Sequence, residues 1–469
     1  MAVTAPFLAR ADADAVAAAL RSQLEGLPGR SPFYADLFAE HGVAGKAFEA
    51  LADIARFPFT DKQMLRDSQA AAPPLGRHAG VRMSEVIRVH ASTGTTGTPS
   101  WVGVTRRDSR AWTEMVARAF RTMGATREDV VVHGSGLNLF VGGLPIRDAL
   151  EWIGTTVVPV GTGASEKAVQ AMNTLGVTAL HSTPSYARYL AEYVRQKLSR
   201  DPREFGLRKV FVGGEPGGGE PAFREHLESE WGARTTEGLG NADMAPVLFG
   251  EAPGTGGMRY TGGRHVLVEL VDPDTGEPVD AELGATGELV YTSVDRECCP
   301  LVRFRTRDLV RVTARATDGA PLIRCVGRTD DMIIVLGVNV FPSAVRDVVQ
   351  GMHPRTSGAV QILLPGRGPR VEPPLRVEAE WGQHPGDHEE LRGSIESTIR
   401  ARLSVPASVT LVPPGSIERS EMKSRLTRVA DNAKSGPAHL PGPLHAPAPL
   451  PAAGAGRNWG RDGPGQGAM

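Results

Sequence analysis

The sequence predicts an α/β protein with more than one domain. Its 469 residues exceed what a single ordinary hydrophobic core organises. Between about residues 105 and 235, segments with helical spacing alternate with short β-branched runs, which is typical of a parallel sheet with crossover helices. From about residue 264, short strands separated by turns predict a small antiparallel sheet. A separate α+β unit begins near residue 331.

The elements of the first part follow in a regular order. Pro184 suits the first turn of a helix, where its missing N–H costs nothing. Apolar spacing predicts helices over residues 109–123, 165–175 and 184–198. The predicted strands are residues 129–133, 155–160, 177–181 and 209–212. Because ligands bind at the carboxyl ends of parallel strands, we expect a site just after the last of these strands.

The second part of the chain is the predicted antiparallel sheet, and the third part is the α+β unit. Strands are predicted over residues 265–271, 288–292 and 309–313 of the antiparallel sheet. In the α+β unit the pattern predicts strands 332–336, 359–364, 375–380 and 409–412, and helices 342–350 and 389–402. Residues 435–469 are rich in Pro, Gly and Ala with few large apolar side chains, which predicts a disordered tail.

Composition excludes several classes of protein. The net charge of −1 gives no footprint for nucleic acid or an anionic membrane. No apolar run approaches the ~20 residues that span a bilayer, and the start lacks the pattern of a secretory signal. We therefore expect a cytoplasmic protein without a nucleic-acid or membrane partner. Cys298, Cys299 and Cys325 lack zinc-site spacing and are predicted to be structural thiols.

A loop rich in hydroxyls and glycines occupies residues 92–100. Glycines let backbone N–H groups approach an anion closely, and hydroxyls add further donors. The loop lacks the lysine of a G-x-x-x-x-G-K-[ST] motif, so it is not that phosphate loop. On its own composition it is equally a flexible turn or a cradle for polyphosphate.

Five further segments carry the residues that decide between these alternatives. They are 57–62 (F-P-F-T-D-K), 213–216 (G-G-E-P), 303–308 (R-F-R-T-R-D), 327–342 (G-R-T-D-D-M…G-V-N-V-F-P) and 419–423 (R-S-E-M-K). Together with residues 92–99 they resemble, in order, the motifs of the phenylacetate–CoA ligase family of the adenylate-forming superfamily. The resemblance implies a large N-terminal adenylate-forming domain over residues 1–329 and a small mobile α+β C-terminal domain over residues 330–433. The tail is then residues 434–469.

The resemblance also implies a reaction. The expected activity is ATP-dependent ligation of a carboxylic acid, an aryl or arylacetic acid, to CoA through an acyl-adenylate, with release of AMP and pyrophosphate. Mg²⁺ is the expected metal, and a homodimer is expected by analogy. Two alternatives remain open: transfer of the acyl group to an amine or a carrier-protein thiol, and a nucleotide-binding homologue that has lost catalysis.

The family's functional positions map onto matching residues of this sequence. The resemblance assigns the phosphate loop to Ser92, Thr93, Gly94, Thr95, Thr96 and Gly97. It assigns adenine and ribose binding to Gly214, Glu215, Pro216, Glu237, Gly238, Asp308 and Arg328. It also assigns the hinge to Asp330 and the CoA channel to Gly337, Val338 and Asn339. A tight turn is the alternative for Gly337 and Val338.

Lys423 is the predicted catalytic residue. Acyl-adenylate formation brings a carboxylate against the α-phosphorus, so two anions meet while charge builds on the phosphoryl oxygens. A mobile ammonium that bridges them stabilises this state. The predicted acid pocket consists of His133, Gly136, Leu139, Phe140 and Pro184, although His133 suits a structural hydrogen bond equally well.

One segment departs from the family pattern. Where the family has a tyrosine that stacks on adenine and a glutamate that helps to hold Mg²⁺, this chain has Glu237 and Asn241. An amide oxygen is a weaker ligand than a carboxylate for a hard dication. The expected metal ligand is therefore either Asn241 or Asp243.

Overall fold

The computed structural model describes residues 5–92, 100–366, 368–418 and 425–429. The α-helices are α1 (Ala13–Gly26), α2 (Pro32–Glu40), α3 (Lys62–Ala71), α4 (Arg106–Thr122), α5 (Leu144–Ile153), α6 (Ser165–Thr174), α7 (Pro184–Leu198), α8 (Pro221–Trp231), α9 (Pro342–Gln350) and α10 (His388–Leu403). Short 3₁₀ helices cover Arg10–Asp12, Gly45–Ala47, Leu51–Arg56, Met83–Glu85 and Pro202–Phe205.

The strands alternate with these helices. They are β1 (Arg88–Ser92), β2 (Ser100–Val104), β3 (Val130–His133), β4 (Thr156–Pro159), β5 (Ala179–Ser182), β6 (Lys209–Gly213), β7 (Arg234–Asn241), β8 (Ala245–Glu251), β9 (Met258–Tyr260), β10 (Val266–Val271), β11 (Thr286–Ser293), β12 (Phe304–Arg315), β13 (Pro321–Arg328), β14 (Ile333–Val335), β15 (Val338–Val340), β16 (Thr356–Leu364), β17 (Arg370–Val371), β18 (Leu375–Trp381), β19 (Ala407–Val412) and β20 (Thr427–Val429).

One 11-stranded mixed sheet dominates the structure. Its strand order is β10-β11-β12-β13-β9-β8-β7-β6-β5-β3-β4. The β3–β7 part is parallel, as the alternating pattern predicts, and the strands from β8 to β13 pair antiparallel. The predicted antiparallel strands are therefore present, but they continue the large sheet through β9 instead of forming a sheet of their own. The segment 234–260, which the sequence pattern left unassigned, supplies this continuation.

Local capping explains where the helices near the site begin. Thr105 accepts a hydrogen bond from the N–H of Asp108, and the Asp108 carboxylate accepts one from the N–H of Thr105, a capping box that starts α4. The hydroxyl of Thr183 caps α7 by accepting from the N–H of Tyr186, with Pro184 in the first turn. The predicted bounds of α7 and α9 are confirmed because these signals are local.

The α+β unit after β13 has a core of its own. A cluster of buried aliphatic side chains from Ile333 to Val409 includes no residue from the large sheet. Two sheets form this unit, with orders β15-β14-β17 and β19-β18-β16-β20. Separate cores are typical of separate domains. In the described part of the chain, no helix combines the length and the apolar character that crossing a bilayer requires.

Candidate active site

The segment 214–219 leaves the carboxyl end of β6 and rests on Glu237. β6 and β7 pair in parallel with Gly213 opposite Gly238. A side chain on Gly219 would place its Cβ 2.6 Å from Oε2 of Glu237, so a larger residue there would require this carboxylate to shift. At the other end of the segment, Oε1 of Glu215 accepts a hydrogen bond from the N–H of Ser185, 2.8 Å away, at the start of α7. The predicted adenine-binding residues are thus brought together.

Glu237 lies in a buried network of charges. Burial raises the pKa of its carboxyl to about 7, and Glu251 contributes in the same direction while Arg224 opposes both. The Arg224 guanidinium donates to Oε1 of Glu251 at 2.7 Å and to the carbonyl oxygen of Gly218 at 2.7 Å. Glu237 therefore lies against the segment 214–219 at Gly218 and Gly219, where Arg224 also binds.

Asp308 and Arg328 form an ion pair on neighbouring strands, with Asp308 buried and Arg328 partly exposed. They are opposite each other in the β12–β13 register, and the Arg328 Nη1 donates to Oδ1 of Asp308 at 2.6 Å. The same guanidinium donates to both carboxylate oxygens of Asp330, at 2.9 and 3.0 Å. Arg328 thus joins the predicted ribose carboxylate to the predicted hinge. Arg307, next to Asp308, has a left-handed backbone with φ +68, a strained geometry found at functional sites.

Two motifs far apart in the sequence are joined by hydrogen bonds. Thr60 donates its N–H to the carbonyl of Arg303 at 3.1 Å and accepts from the N–H of Arg305 at 2.8 Å. Its hydroxyl donates to the carbonyl of Val302, 242 residues away in the sequence, at 2.7 Å. The Phe59 ring packs under the Arg303 guanidinium, 3.9 Å from ring centroid to Cζ. The 57–62 segment therefore pairs alongside the start of β12, the strand that carries Asp308.

The same segment reaches the base of the predicted phosphate loop. Nζ of Lys62, at the start of α3, lies 3.1 Å from Oδ2 of Asp243. The other oxygen of Asp243 accepts from the hydroxyl of Ser100 at 2.7 Å, and that hydroxyl contacts the hydroxyl of Ser92. Asp243 is buried and Lys62 is 29% exposed, so the ammonium partly faces solvent beside the loop. Sequence reasoning quoted Lys62 within a motif but assigned it no role.

Of the two candidate metal ligands, only Asp243 offers a carboxylate at the loop. Oδ1 of Asn241 accepts the N–H of Asp243 at 3.0 Å, which shapes the turn between β7 and β8. Among the described residues no group of three His, Cys, Asp or Glu side chains could hold a metal ion. Mg²⁺ is commonly bound by one or two carboxylates together with substrate phosphates and water, so a single carboxylate fits such an ion.

The predicted acid-pocket residues lie at the end of β3, on the loop that follows it and at the start of α7. The carbonyl of Leu139 accepts from the N–H of Ala91 at 2.9 Å, which ties the loop after β3 to the strand that leads into the phosphate loop. The Leu139 side chain is 49% exposed, and Phe140 packs partly buried against the main core. Asn138 and Thr162 neighbour Gly136. Pro184 borders the 214–219 segment, because a Cβ on Gly217 would lie 3.5 Å from the Cβ of Pro184.

His133 is buried beneath this loop in a chain of hydrogen bonds. Its Nε2 donates to the carbonyl of Gly143 at 3.1 Å, so its Nδ1 accepts the Nδ1–H of His181 at 2.8 Å. The two rings stack with centroids 4.9 Å apart. Burial lowers the pKa of His133 to about 4, and burial together with His133 lowers the pKa of His181. The side chain of His133 thus makes structural hydrogen bonds, which is one of the two interpretations that the sequence left open for this residue.

This pair predicts acid sensitivity. A histidine in the unfolded chain binds a proton near pH 6.5, whereas His133 stays neutral in the folded protein down to about pH 4. Its contribution to stability is therefore complete above pH 6.5 and is lost as the pH falls towards 4. Between pH 7 and pH 5 we expect the free energy of unfolding to drop by roughly 2 kcal/mol through this residue.

Urea unfolding at the two pH values measures this drop. Gln at position 133 can still donate to the carbonyl of Gly143 but does not titrate, so His133→Gln is expected to shrink the pH difference by that amount. His384→Gln, at an exposed position, is the matched control. An identical pH dependence in the His133→Gln variant and the wild type would contradict the prediction.

The remaining predicted residues divide into two groups. Gly337 is the second residue of a two-residue turn between β14 and β15, where Leu336 (φ +52) and Gly337 (φ +81) are both left-handed, as in a type I′ hairpin. Val338 and Asn339 follow on β15. Thr93, Gly94, Thr95, Thr96, Gly97 and Lys423 lie outside the described residues, as does the predicted tail.

Family models match most of this architecture. The AMP-binding enzyme model matches residues 50–294, and the model for the AMP-binding enzyme C-terminal domain matches residues 337–433. A curated relative, the phenylacetate-coenzyme A ligase of Thermus thermophilus, is 38% identical over 426 residues, which cover 86% of this chain and 93% of the relative.

Two solved structures that match this chain are of the same enzyme in two different states. A crystal structure of 2-hydroxyisobutyryl-CoA ligase in the postadenylation state, in complex with R3-HIB-AMP, is 28% identical, covers 91% of both chains and has a TM-score of 0.83. The structure of that enzyme with 2-HIB-AMP and CoA in the thioesterification state is 30% identical, covers 90% of this chain and 91% of that one, and has a TM-score of 0.65. With the matches of sequence and of fold in agreement, the chain belongs to the AMP-binding, adenylate-forming enzyme family, in its phenylacetate–CoA ligase branch.

Proposed function

We propose that the protein is an ATP-dependent ligase that joins a carboxylic acid to CoA through an acyl-adenylate. The observation that carries the proposal is the junction made by Thr60. It connects the strand of Asp308 with Lys62, and Lys62 lies 3.1 Å from Asp243 at the base of the phosphate loop. Hydrogen bonds thereby connect Asp308, a carboxylate suited to ribose, with Lys62, a cation suited to phosphate. A site for a nucleoside triphosphate requires both groups.

The nucleotide would lie along the carboxyl ends of β6 and β7. Segment 214–216 and Gly238 would line the adenine, with Glu237 lying against the segment 214–219. Asp308 would accept both ribose hydroxyls, with Arg328 beside it. Ser92 and the following loop would bind the β- and γ-phosphates, and the ammonium of Lys62 adds a positive charge on this side.

Mg²⁺ is part of the proposal as an ion carried with ATP. Asp243 would hold it, because its carboxylate adjoins the loop and, among the described residues, its side-chain partners are Lys62 and Ser100. When bound, the ion neutralises phosphate charge. Lys62, whose ammonium lies 3.1 Å from the same carboxylate, would add a further positive charge on this side of the site.

The reaction comprises two transfers. A carboxylate oxygen of the acid forms a bond to the α-phosphorus while the bond to pyrophosphate breaks. The CoA thiol then loses its proton and its sulfur bonds to the acyl carbon, while the bond to AMP breaks. Lys423 would stabilise the charge that builds in the first transfer. In the second, Gly337, Val338 and Asn339 would line the thiol channel, with their hairpin turn as its rigid end.

The acid is proposed to be an aryl or arylacetic acid. The T. thermophilus relative is a phenylacetate-coenzyme A ligase by name. Pro184 supplies apolar surface beside Gly217, and Phe140 would supply more from the loop after β3. Gly136 and Leu139 would complete the pocket, with His133 supporting it from beneath. We further propose domains over residues 1–329 and 330–433 with a hinge at Asp330. The cytoplasmic location and the homodimer stay predictions.

A screen of acids tests the function. Purified protein is incubated with ATP, Mg²⁺ and a panel of aromatic and aliphatic acids, with and without CoA, while pyrophosphate release and thioester formation are measured. We expect acid-dependent pyrophosphate release, and a thioester that forms only when CoA is present. Release without any thioester would indicate an amine or carrier-protein thiol as acceptor, and no release with any acid would indicate a homologue without catalysis.

A further inference from the structure

In the described part of the chain, α9 of the α+β unit packs against α8 and against β13 of the large sheet. α9 and the turn after it pack on α8, the helix that follows the 214–219 segment. A Cβ on Gly351 would lie 3.9 Å from the Cβ of Ala222, and the rings of His353 and His226 have centroids 4.4 Å apart. Residues beyond the proposed hinge therefore touch the element next to the proposed adenine site.

Arg346 is at the centre of this contact. Its Nη2 donates to the carbonyl oxygen of Pro216 at 2.6 Å and to both carboxylate oxygens of Glu220, at 3.3 and 3.2 Å. The side chain is 5% exposed, and its guanidinium carbon lies 5.4 Å from the centroid of the Phe223 ring. A buried, charge-assisted hydrogen bond of this kind costs more to break than a surface ion pair.

The loop is shaped around this guanidinium. Gly217 lies between the two residues that Arg346 binds, and a Cβ there would come within 2.8 Å of Nη2. Its φ of +138 is also one that side-chain-bearing residues rarely adopt. The contact thus depends on backbone positions of the proposed adenine-binding segment itself.

The contact between Arg346 and Pro216 depends on how the α+β unit is oriented. The two 2-hydroxyisobutyryl-CoA ligase structures cover nearly the same share of this chain, yet the postadenylation structure has the higher TM-score, 0.83 against 0.65. Because both structures cover nearly the same residues of this chain, their unequal TM-scores reflect a different arrangement of the same domains in the two structures. The arrangement that brings Arg346 to Pro216 is therefore the postadenylation-like one.

We propose that Arg346 is a positioning residue that clasps the 214–220 segment while the acyl-adenylate forms and releases it when the α+β unit turns for thioester formation. This proposal rests on the proposed function. The clasp supports the first transfer in two ways: it holds the orientation of the unit that carries Lys423, and it steadies the carbonyl of Pro216 beside adenine.

A covalent cross-link tests the orientation. The Cβ spacing of Ala222 and Gly351 falls in the range that paired cysteines adopt, so A222C/G351C should be bridged by the bis-alkylating reagent dibromobimane, which CoA cannot reverse. The bridged enzyme should still release pyrophosphate in a single turnover but lose thioester formation. Single-cysteine variants and the wild type, treated identically, are the controls. Failure to bridge, or unchanged thioester formation after bridging, would overturn the proposal.

Half-reactions test the residue. In Arg346→Ala we expect acid-dependent pyrophosphate release to fall about 10- to 100-fold, the size expected for a lost hydrogen bond to a charged group. Thioester formation from supplied acyl-AMP and CoA should not fall. Glu220→Gln should shift the ratio of the two rates in the same direction, and the double variant should add little, because both changes remove one contact. Arg392→Ala, whose ion pairs with Glu389 and Glu396 stay within α10, is the matched control.

Equal loss of both half-reactions in Arg346→Ala, or no loss in either, would overturn the role of Arg346. If the wild type uses no acid at all, the proposed function fails instead. The cross-link then still tests the clasp, because Arg346→Ala should slow bridging of A222C/G351C.

Discussion

Replacing Lys423 with alanine will lower acid-dependent pyrophosphate release by about 100- to 1,000-fold, the usual cost of removing one preorganised electrostatic contact to a transition state. The physical reason is charge. A carboxylate and a triphosphate repel each other, and negative charge grows on the phosphoryl oxygens as pyrophosphate departs. Residue 423 is a lysine and not an arginine or a histidine, so a lysine ammonium is expected to supply the positive charge that offsets this growth.

The measurement separates the two transfers. Thioester formation from supplied acyl-AMP and CoA should keep its wild-type rate in Lys423→Ala, because that step needs no pyrophosphate to leave. Lys434→Ala, a nearby lysine without an assigned role, is the control and should leave both rates unchanged. Wild-type pyrophosphate release in Lys423→Ala would remove Lys423 from the mechanism.

Replacing Asp308 with asparagine will raise the KM for ATP by about 10- to 100-fold, the range of a lost hydrogen bond to a charged acceptor. Asparagine keeps the shape of the side chain but loses the charge that attracts both ribose hydroxyls. Its amide group would also turn a donor towards Arg328, whose Nη1 donates to Asp308 at 2.6 Å. The change therefore weakens the ribose contact and disturbs the arginine that reaches Asp330.

A nucleotide lacking one hydroxyl gives this prediction a sharp readout. The wild type should use 2′-deoxyATP less well than ATP, and Asp308→Asn should discriminate much less between them. Asp331→Asn changes a carboxylate 4.0 Å from the same arginine and should leave the discrimination intact. Undiminished discrimination in Asp308→Asn would show that another group binds the ribose.

Elements with local signals could be predicted from the sequence. α7 and α9 begin at a proline in the first turn and have apolar residues at helical spacing, so their bounds follow from nearest neighbours along the chain. α5 and α8 went unassigned although their buried residues have helical spacing. β7–β9 went unassigned because glycines interrupt β7 and β9 has only three residues. Those strands are defined instead by hydrogen bonds to β6 and β13, which come from distant parts of the sequence.

The site shows the same division. The motifs at 213–216, 303–308 and 327–332 identify their residues by resemblance, and Asp308 and Arg328 do pair as neighbours on adjacent strands. Nothing in the pattern around Lys62 indicates that it meets Asp243. That meeting depends on Thr60 adding to the edge of the strand at Arg303 and Arg305, a tertiary event. Arg346 carries no sequence signal either, because its partners are a backbone carbonyl and a carboxylate that lie 130 and 126 residues away in the chain.

By itself the sequence determined the class of fold, the order of the motifs and the chemistry that those motifs can perform, because spacing, capping and residue type act over a few neighbouring residues. Only the tertiary structure decided that the antiparallel strands continue the large sheet, that Glu237 lies against the segment 214–219, and that Lys62 meets Asp243 near Ser92 and Ser100. It also decided that Arg346 reaches Pro216. These contacts join residues that are far apart in the chain, and packing and strand pairing, which local patterns do not encode, bring them together.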